Sequence, residues 1–312
     1  MTGKGAVPMK LSRIDLHMHS TVSDGTDTPL MLLERAISSG LLLFSLTDHD
    51  AISGNREILS GLKALGHDSS APHSLPCFIT GVEFSCRDEF GKYHILGYGF
   101  DPDHPAINEV VEAGHNHRIT LMKERIDFLR NEFSVEITDE EEKELFSLSN
   151  PGKPHLARLL FSKGYCRTKD EAFDNFLNKI PEKNRYLRPE DAIEGIMNAG
   201  GRAILAHPFY GASAEWICGQ KLEDRVKRLK DLGLSGLECF HSDLTYENTK
   251  EVLSLAEKYD LLITAGSDYH GDNKDITLGT ISKEETPYTD AFSKGDMNEL
   301  PERIVRFLES IA

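Results

Sequence analysis

Histidines and carboxylates recur along this chain in groups close enough to share a metal ion. His17 and His19 form a His-x-His pair. In an extended segment positions i and i+2 project to the same side, so both imidazoles can reach one cation. Asp24 follows in Ser23-Asp24-Gly25, a turn able to bring its carboxylate back over the same edge. His49 stands in Thr47-Asp48-His49-Asp50, Glu83 ends an apolar run, His94 lies on the next one, His207 sits in Ala206-His207-Pro208, and Ser267-Asp268-Tyr269-His270 supplies Asp268 and His270. Imidazole mixed with carboxylate and no thiolate suits Mn²⁺, Fe²⁺ or Zn²⁺ better than Ca²⁺, which takes oxygen alone. Nine candidates exceed the three or four protein ligands of one catalytic ion, so two or three divalent ions are implied. Each motif alone is more often a packed or hydrogen-bonded histidine than a ligand. Six histidines and three carboxylates gathered at strand ends do not fit that structural reading.

Such convergence needs elements that deliver every motif to one edge. Residues 13–17 and 41–47 read as strands. Between them Thr28 and Pro29 read as N-cap and first residue of a helix over 30–39 that Gly40 closes. A helix over 53–65 and a loop over 66–76 follow, then strands over 77–84 and 93–100 around a turn at Asp88-Glu89-Phe90-Gly91. Residues 106–190 are helical in period. The strand-helix rhythm resumes with strands at 202–206, 237–240 and 261–265 and a last helix over 298–311. Each motif then falls just past a strand, the rim where barrels and parallel sheets keep their active sites. The expected α/β organisation is a barrel whose first part spans 11–104 and second part 191–312, with a helical cap inserted at 105–190.

The chain has 312 residues, 39% of them hydrophobic, and a net charge of −16. That composition buries a core and excludes disorder and fibre. The acidic balance argues against a long nucleic-acid groove, which needs a basic stripe, and leaves small anions as partners. Residues 150–190 differ, with a local charge of +4. No run approaches the roughly 18 apolar residues of a membrane span, and residues 1–10 lack an apolar export signal, which points to a cytoplasmic protein without a membrane partner. Cys77, Cys86, Cys166, Cys218 and Cys239 form no Cys-x-x-Cys pair and read as reduced structural thiols.

His17-Met18-His19-Ser20 with Ser23-Asp24-Gly25, Thr47-Asp48-His49-Asp50, Gly81-Val82-Glu83, Ala206-His207-Pro208 and Ser267-Asp268-Tyr269-His270 resemble, in order and spacing, the motifs of the PHP (polymerase and histidinol phosphatase) superfamily. The insertion carrying Lys153-Pro154-His155-Leu156-Ala157-Arg158 resembles its bacterial single-chain phosphoesterases. That branch includes nucleoside 3′,5′-bisphosphate phosphatases that are also 5′-to-3′ exoribonucleases, and a cyclic-phosphate dihydrolase. The resemblance implies a distorted seven-stranded TIM-like (β/α) barrel with a cap. It also implies a ligand plan: His17, His19, Glu83 and Asp268 on one ion, Asp24, His49 and His270 on a second, and Glu83, bridging, with His94 and His207 on a third. Mn²⁺ is the first choice of metal. Paired cations clamp a phosphoryl group and bring a water's pKa toward about 7, so phosphoester hydrolysis needs no protein nucleophile.

Substrate choice then falls to the cap. Arg118, Lys153, His155 and Arg158 are the candidates for gripping a second phosphate. Asp268, also among the ligands, and His241, which follows another strand, are the candidate catalytic residues, His241 as the general acid that protonates the leaving alkoxide. Phe209, Tyr210 and Trp216 could stack a base or simply pack their loop, while His67, His73 and His104 read as surface residues. The reading is a hydrolase of a small nucleotide or a 5′-phosphorylated short oligonucleotide. Its alternatives are a phosphatase of histidinol phosphate or a cyclic sugar phosphate, and a metal-binding module without turnover.

Overall fold

Seven strands form one sheet in sequence order: β1 (Ile14–Asp15), β2 (Leu43–Leu46), β3 (Cys77–Asp88), β4 (Gly91–Tyr98), β5 (Arg202–Leu205), β6 (Gly236–His241) and β7 (Leu262–Gly266). This computed structural model describes residues 10–66, 75–148, 150–181, 186–211 and 215–311. His67 and His73, most of the loop expected over 66–76, and Glu182, Lys183 and Arg185 of the basic window lie outside the described residues. All neighbouring strands are parallel except β4, which is antiparallel to both β3 and β5. β1 is shorter than the run expected over 13–17. From Leu16 onward the backbone also bonds to β7 and the segment after it: Leu16 N donates to Ala265 O at 3.0 Å, Asp268 N to His17 O at 2.8 Å, and His19 N to Tyr269 O at 2.8 Å, while Met18 O still accepts from Thr47 N at 2.9 Å. The barrel therefore closes through the residues that carry three candidate ligands.

Local signals explain the outer elements. α1 (Pro29–Ser38) starts where the Thr28 side chain accepts a hydrogen bond from Met31 N, with Pro29 in the first turn, and α2 (Ser53–Ala64) covers β2 and β3. The long α3 (Pro105–Phe133) leads into α4 (Asp139–Ser147), α5 (Lys153–Ser162) and α6 (Lys169–Asn175). The acidic run at 139–144 opens α4 behind a Thr138/Glu141 capping box. Met122, Ile126, Leu129, Leu156 and Leu160 build a core for this cap, whereas Ile107 at the other end of α3 belongs to the barrel core. α3 is thus a single beam shared by both bodies. α7 (Pro189–Asn198) packs Ile193 and Ile196 on the barrel. α8 (Gln220–Asp231) and α9 (Tyr246–Lys258) follow β5 and β6.

Two short helices close the chain. α10 (Pro287–Lys294) buries only Thr289 and Phe292, and its periodicity is too brief to have been expected. α11 (Glu302–Glu309) is shorter than the expected 298–311, because Pro301 precedes its first turn and cannot sit in a helix interior. The barrel core includes Val82, Phe84, Ile95, Ile204, Leu237 and Ile263. Cys86, Cys166 and Cys239 are buried, Cys77 and Cys218 exposed. Among the described residues no helix is long and apolar enough to cross a membrane.

Candidate metal centre

Glu83, fully buried at the rim, is the hub. Its Oε2 lies 3.3 Å from His17 Nε2, 3.1 Å from His19 Nε2 and 3.0 Å from His49 Nδ1. Its Oε1 lies 2.7 Å from His94 Nδ1 and 3.0 Å from His207 Nε2. Asp268 Oδ1 joins from β7, 3.5 Å from His17 Nε2 and 3.3 Å from His19 Nε2. Asp24 Oδ1 stands 3.3 Å from His270 Nε2 and 3.8 Å from His19 Nδ1, and Asp24 Oδ2 stands 3.9 Å from His49 Nε2. Donor atoms of His17, His19, Glu83 and Asp268 all lie within 4.8 Å of one another, as do those of His19, Asp24, His49 and His270, and those of His49, Glu83 and His94. The structure thus brings all nine candidates together, with His207 on the same Glu83 oxygen as His94.

The scaffold beneath is built from backbone clamps. Asn55 on α2 donates to Gly81 O and accepts from Gly81 N, both at 2.8 Å, two residues before Glu83. Asp48 takes Ser20 N at 2.7 Å and the Ser23 hydroxyl at 2.6 Å, which shapes the turn bearing Asp24. Asp15 accepts from Ser267 N at 2.9 Å and Gly279 N at 2.7 Å, which holds the segment after β7. Gly266 allows that segment to approach, since a Cβ there would lie 2.2 Å from His17 Cβ. Asp50, His207 and Asp268 all have positive φ, at 48°, 27° and 58°, conformations that cost energy and gather at this rim.

Electrostatics and unmet hydrogen bonds test whether cations fit. Among the described residues His17 Nε2, His19 Nε2, His49 Nδ1, Glu83 Oε2 and His241 Nε2 are buried without a hydrogen-bond partner, although buried polar atoms ordinarily have one. Three of these imidazole nitrogens surround Glu83 Oε2, a donor set that metal ions would suit. Burial pushes the Glu83 carboxyl up, but His94, His49 and His17 more than cancel this and hold it well below its usual range. Burial likewise opposes Asp268, which Lys274, His270 and His17 hold well below the usual carboxylate value. Burial lowers His207 to about 4 against the pull of Glu83, which keeps it a neutral imidazole, the ligating form. His19 goes the other way: burial lowers it, and Asp268 and Glu83 outweigh that to raise it to about 9.

A cavity of about 150 Å³ opens beside the cluster, between rim and cap, and Asp24, His49 and His94 reach it from below while Arg118, Arg125 and Lys153 line it above. Arg118 is also paired with Asp50 and donates to Ser85 Oγ at 2.8 Å. His155 and Arg158 line none of the described cavities. His155 Nδ1 instead accepts from Gly152 N at 3.1 Å and caps α5, while Arg158 is exposed. On the other flank Tyr210 and Gly211 border a second cavity with His94 and His207. Trp216 stacks on Phe209 at 4.9 Å and stays exposed. His104, expected at the surface, is the half-buried N-cap of α3, where Nδ1 accepts from Ala106 N at 3.2 Å.

The family model of the PHP domain matches residues 15–188, more than half of the chain and six of the nine clustered residues. The chain belongs to the PHP domain family. A 5′-3′ exoribonuclease of Haemophilus influenzae is 31% identical over 86% of this chain and 93% of its own. A phosphoribosyl 1,2-cyclic phosphate 1,2-diphosphodiesterase of Eggerthella lenta is 33% identical over 82% of this chain and 94% of its own. A Bifidobacterium adolescentis structure assigned as a metal-dependent phosphoesterase superposes with a TM-score of 0.72, at 26% identity over 94% of this chain and 98% of the other. Hydrolysis of phosphate esters is the chemistry common to these names.

The PHP site also contains residues that sequence reasoning missed. Glu238 Oε1 holds His17 Nδ1 at 2.8 Å, and its Oε2 accepts from His207 N at 2.7 Å. A register shift between Glu238 and Phe240 lets both Glu238 and His241 face inward, which plain strand alternation forbids. The available signal was a carboxylate within an otherwise apolar strand. His241 Nδ1 accepts from Asp243 N at 3.0 Å, so its proton sits on Nε2, 3.7 Å from Asp268 Oδ2. His241 is fully buried and lines neither cavity.

Proposed function

We propose that this PHP site holds two or three divalent cations, Mn²⁺ before Zn²⁺ or Fe²⁺, and hydrolyses a phosphate ester of a small nucleotide. The substrate is a nucleoside 3′,5′-bisphosphate or a short RNA with a 5′-phosphate. One observation carries the reading: five imidazoles converge on Glu83 beside a cavity lined by Arg118, Arg125 and Lys153. His17, His19, Glu83 and Asp268 are assigned to one ion, Asp24, His49 and His270 to a second, and Glu83, His94 and His207 to a third. Bound divalent ions supply Lewis-acid polarisation of a phosphoryl oxygen and water acidified toward a pKa of about 7.

The chain's own groups bind and orient. Arg118 and Lys153 are placed to take a second phosphate by charge-assisted hydrogen bonds. His155 and Arg158 border neither of the two cavities described above, so Arg118 and Lys153 are preferred for that contact. Glu238 holds the His17 ring, with the proton on Nδ1 and the Nε2 lone pair toward the ion. His241 Nε2 stands 3.7 Å from Asp268 Oδ2. It is assigned to positioning that ligand, because its depth keeps it from the leaving group it was expected to protonate. Tyr210 borders the flank where the organic part of the substrate can lie.

Phosphate release from adenosine 3′,5′-bisphosphate by the Mn²⁺-loaded protein, beside 5′-AMP as control, tests the reading. Removal of the 3′-phosphate with 5′-AMP left intact is expected. Turnover of a cyclic or sugar phosphate with none of the bisphosphate would replace it by the metabolite reading, which the Eggerthella relative favours. No hydrolysis of any phosphoester by metal-replete protein would leave a binding module.

A further inference from the structure

Lys274 stands among the carboxylates of the cluster at a position no motif signalled. Its ammonium contacts Asp268 Oδ2, and the charges of Glu83 and Asp24 also favour it there. The side chain is 39% exposed, so its stem lies at the open rim while its tip reaches inward. The loop that delivers it is tied in several places. A 3-10 turn, Gly271–Asn273, begins at Gly271 with φ +62°, where a Cβ would lie 2.0 Å from Thr26 Oγ1. Asp272 N donates to Thr26 Oγ1 at 2.9 Å, Asn273 Nδ2 donates to Asp24 O at 2.7 Å, and Lys169 on α6 donates to Asn273 Oδ1 at 2.8 Å. These bonds fix the backbone that leads into Lys274, while its four-carbon stem can still swing the ammonium from one acceptor to another.

An ion on Asp268 and the Lys274 ammonium compete for the same carboxylate, and like charges so close repel. Once divalent ions neutralise the cluster, a lysine serving only as counter-charge has no role left. Its three N–H donors still need an acceptor, and the anion that arrives is the substrate's phosphate. Resting on the metal reading above, we propose that Lys274 yields Asp268 to the ion and grips the phosphoryl group undergoing hydrolysis, while Arg118 and Lys153 hold the second phosphate.

Wild type, K274Q and K274R loaded with Mn²⁺ provide the test, read by metal content after gel filtration and by calorimetric affinity for inorganic phosphate. All three are expected to hold the same Mn²⁺, with phosphate bound about tenfold more weakly by K274Q and largely restored in K274R. Unchanged phosphate affinity in metal-replete K274Q would overturn the role of Lys274 and leave the metal site standing. Failure of the wild type to take up Mn²⁺ would overturn both. If K274Q melts well below wild type, K274M replaces it in the same two measurements, with the same outcomes deciding.

Discussion

Glu83 shows how far one side chain organises this site. It collects five imidazoles, and the quality of each contact depends on what holds the ring from behind. Glu238 is that support for His17, and it also fixes the backbone of His207. Replacing such a partner of a metal-bound histidine typically costs 10- to 100-fold in metal affinity. Glu238→Gln is therefore expected to release Mn²⁺ to a chelator at about 10-fold lower chelator concentration while the fold survives; equal retention would remove Glu238 from the metal's support. Protonation gives a second expectation. His19, raised to about 9 from 6.5, stabilises the metal-free fold fully below pH 6.5, and this contribution is lost as pH rises through about 9. At pH 7 it carries a proton that an ion must displace. Loading Mn²⁺ into metal-free protein at pH 7 should release protons, seen as a dependence of the calorimetric heat on the buffer's ionisation enthalpy. Identical heats in all buffers would contradict it.

At the level of elements, strands deliver ligands and loops aim them. Two helix starts were legible: Thr28 with Pro29 marks the start of α1, and the helix expected from position 53 begins at Ser53, whereas the capping box at Thr138 lay inside a block read only as helical in period. The barrel's closure was not legible. β1 keeps only two ladder residues against β2 because Leu16, His17 and His19 bond across to β7 and the segment after it, and a pairing between positions 16 and 265 leaves no trace in local period. The clamp of Asn55 is equally silent in sequence, since an asparagine in a helix usually faces water. Asn55→Ala would leave Gly81 N and Gly81 O buried and unpaired, at roughly 1–3 kcal/mol for each group. A stability loss of about 2–4 kcal/mol in denaturant unfolding is expected, with weaker metal retention because Glu83 is two residues away. A loss below about 0.5 kcal/mol would show that the clamp is dispensable.

At the scale of the whole molecule, a shared beam, α3, sets the cap over the rim. One end is rooted in the barrel core, the other in the cap core, and Arg118 between them is tied to Asp50 and Ser85 on the barrel. The cavity so enclosed decides which of the cap's cations matter. Lys153→Ala should raise KM for a doubly phosphorylated nucleotide while leaving p-nitrophenyl phosphate nearly unchanged, and Arg158→Ala should alter neither, since loss of a uniform binding contact acts on KM. Equal effects of the two substitutions would show that the cavity does not select the substrate. The sequence by itself determined the ligand types, their order along the chain and their place at strand ends, because strand period, turn residues and helix caps are local properties. Only the tertiary structure decided that Glu238 would stand behind His17, 221 positions away, that Lys274 would enter the cluster, and that His241 would lie buried 3.7 Å from Asp268. Such contacts arise from how distant strands close and where a bulge shifts register, which no short stretch of residues encodes.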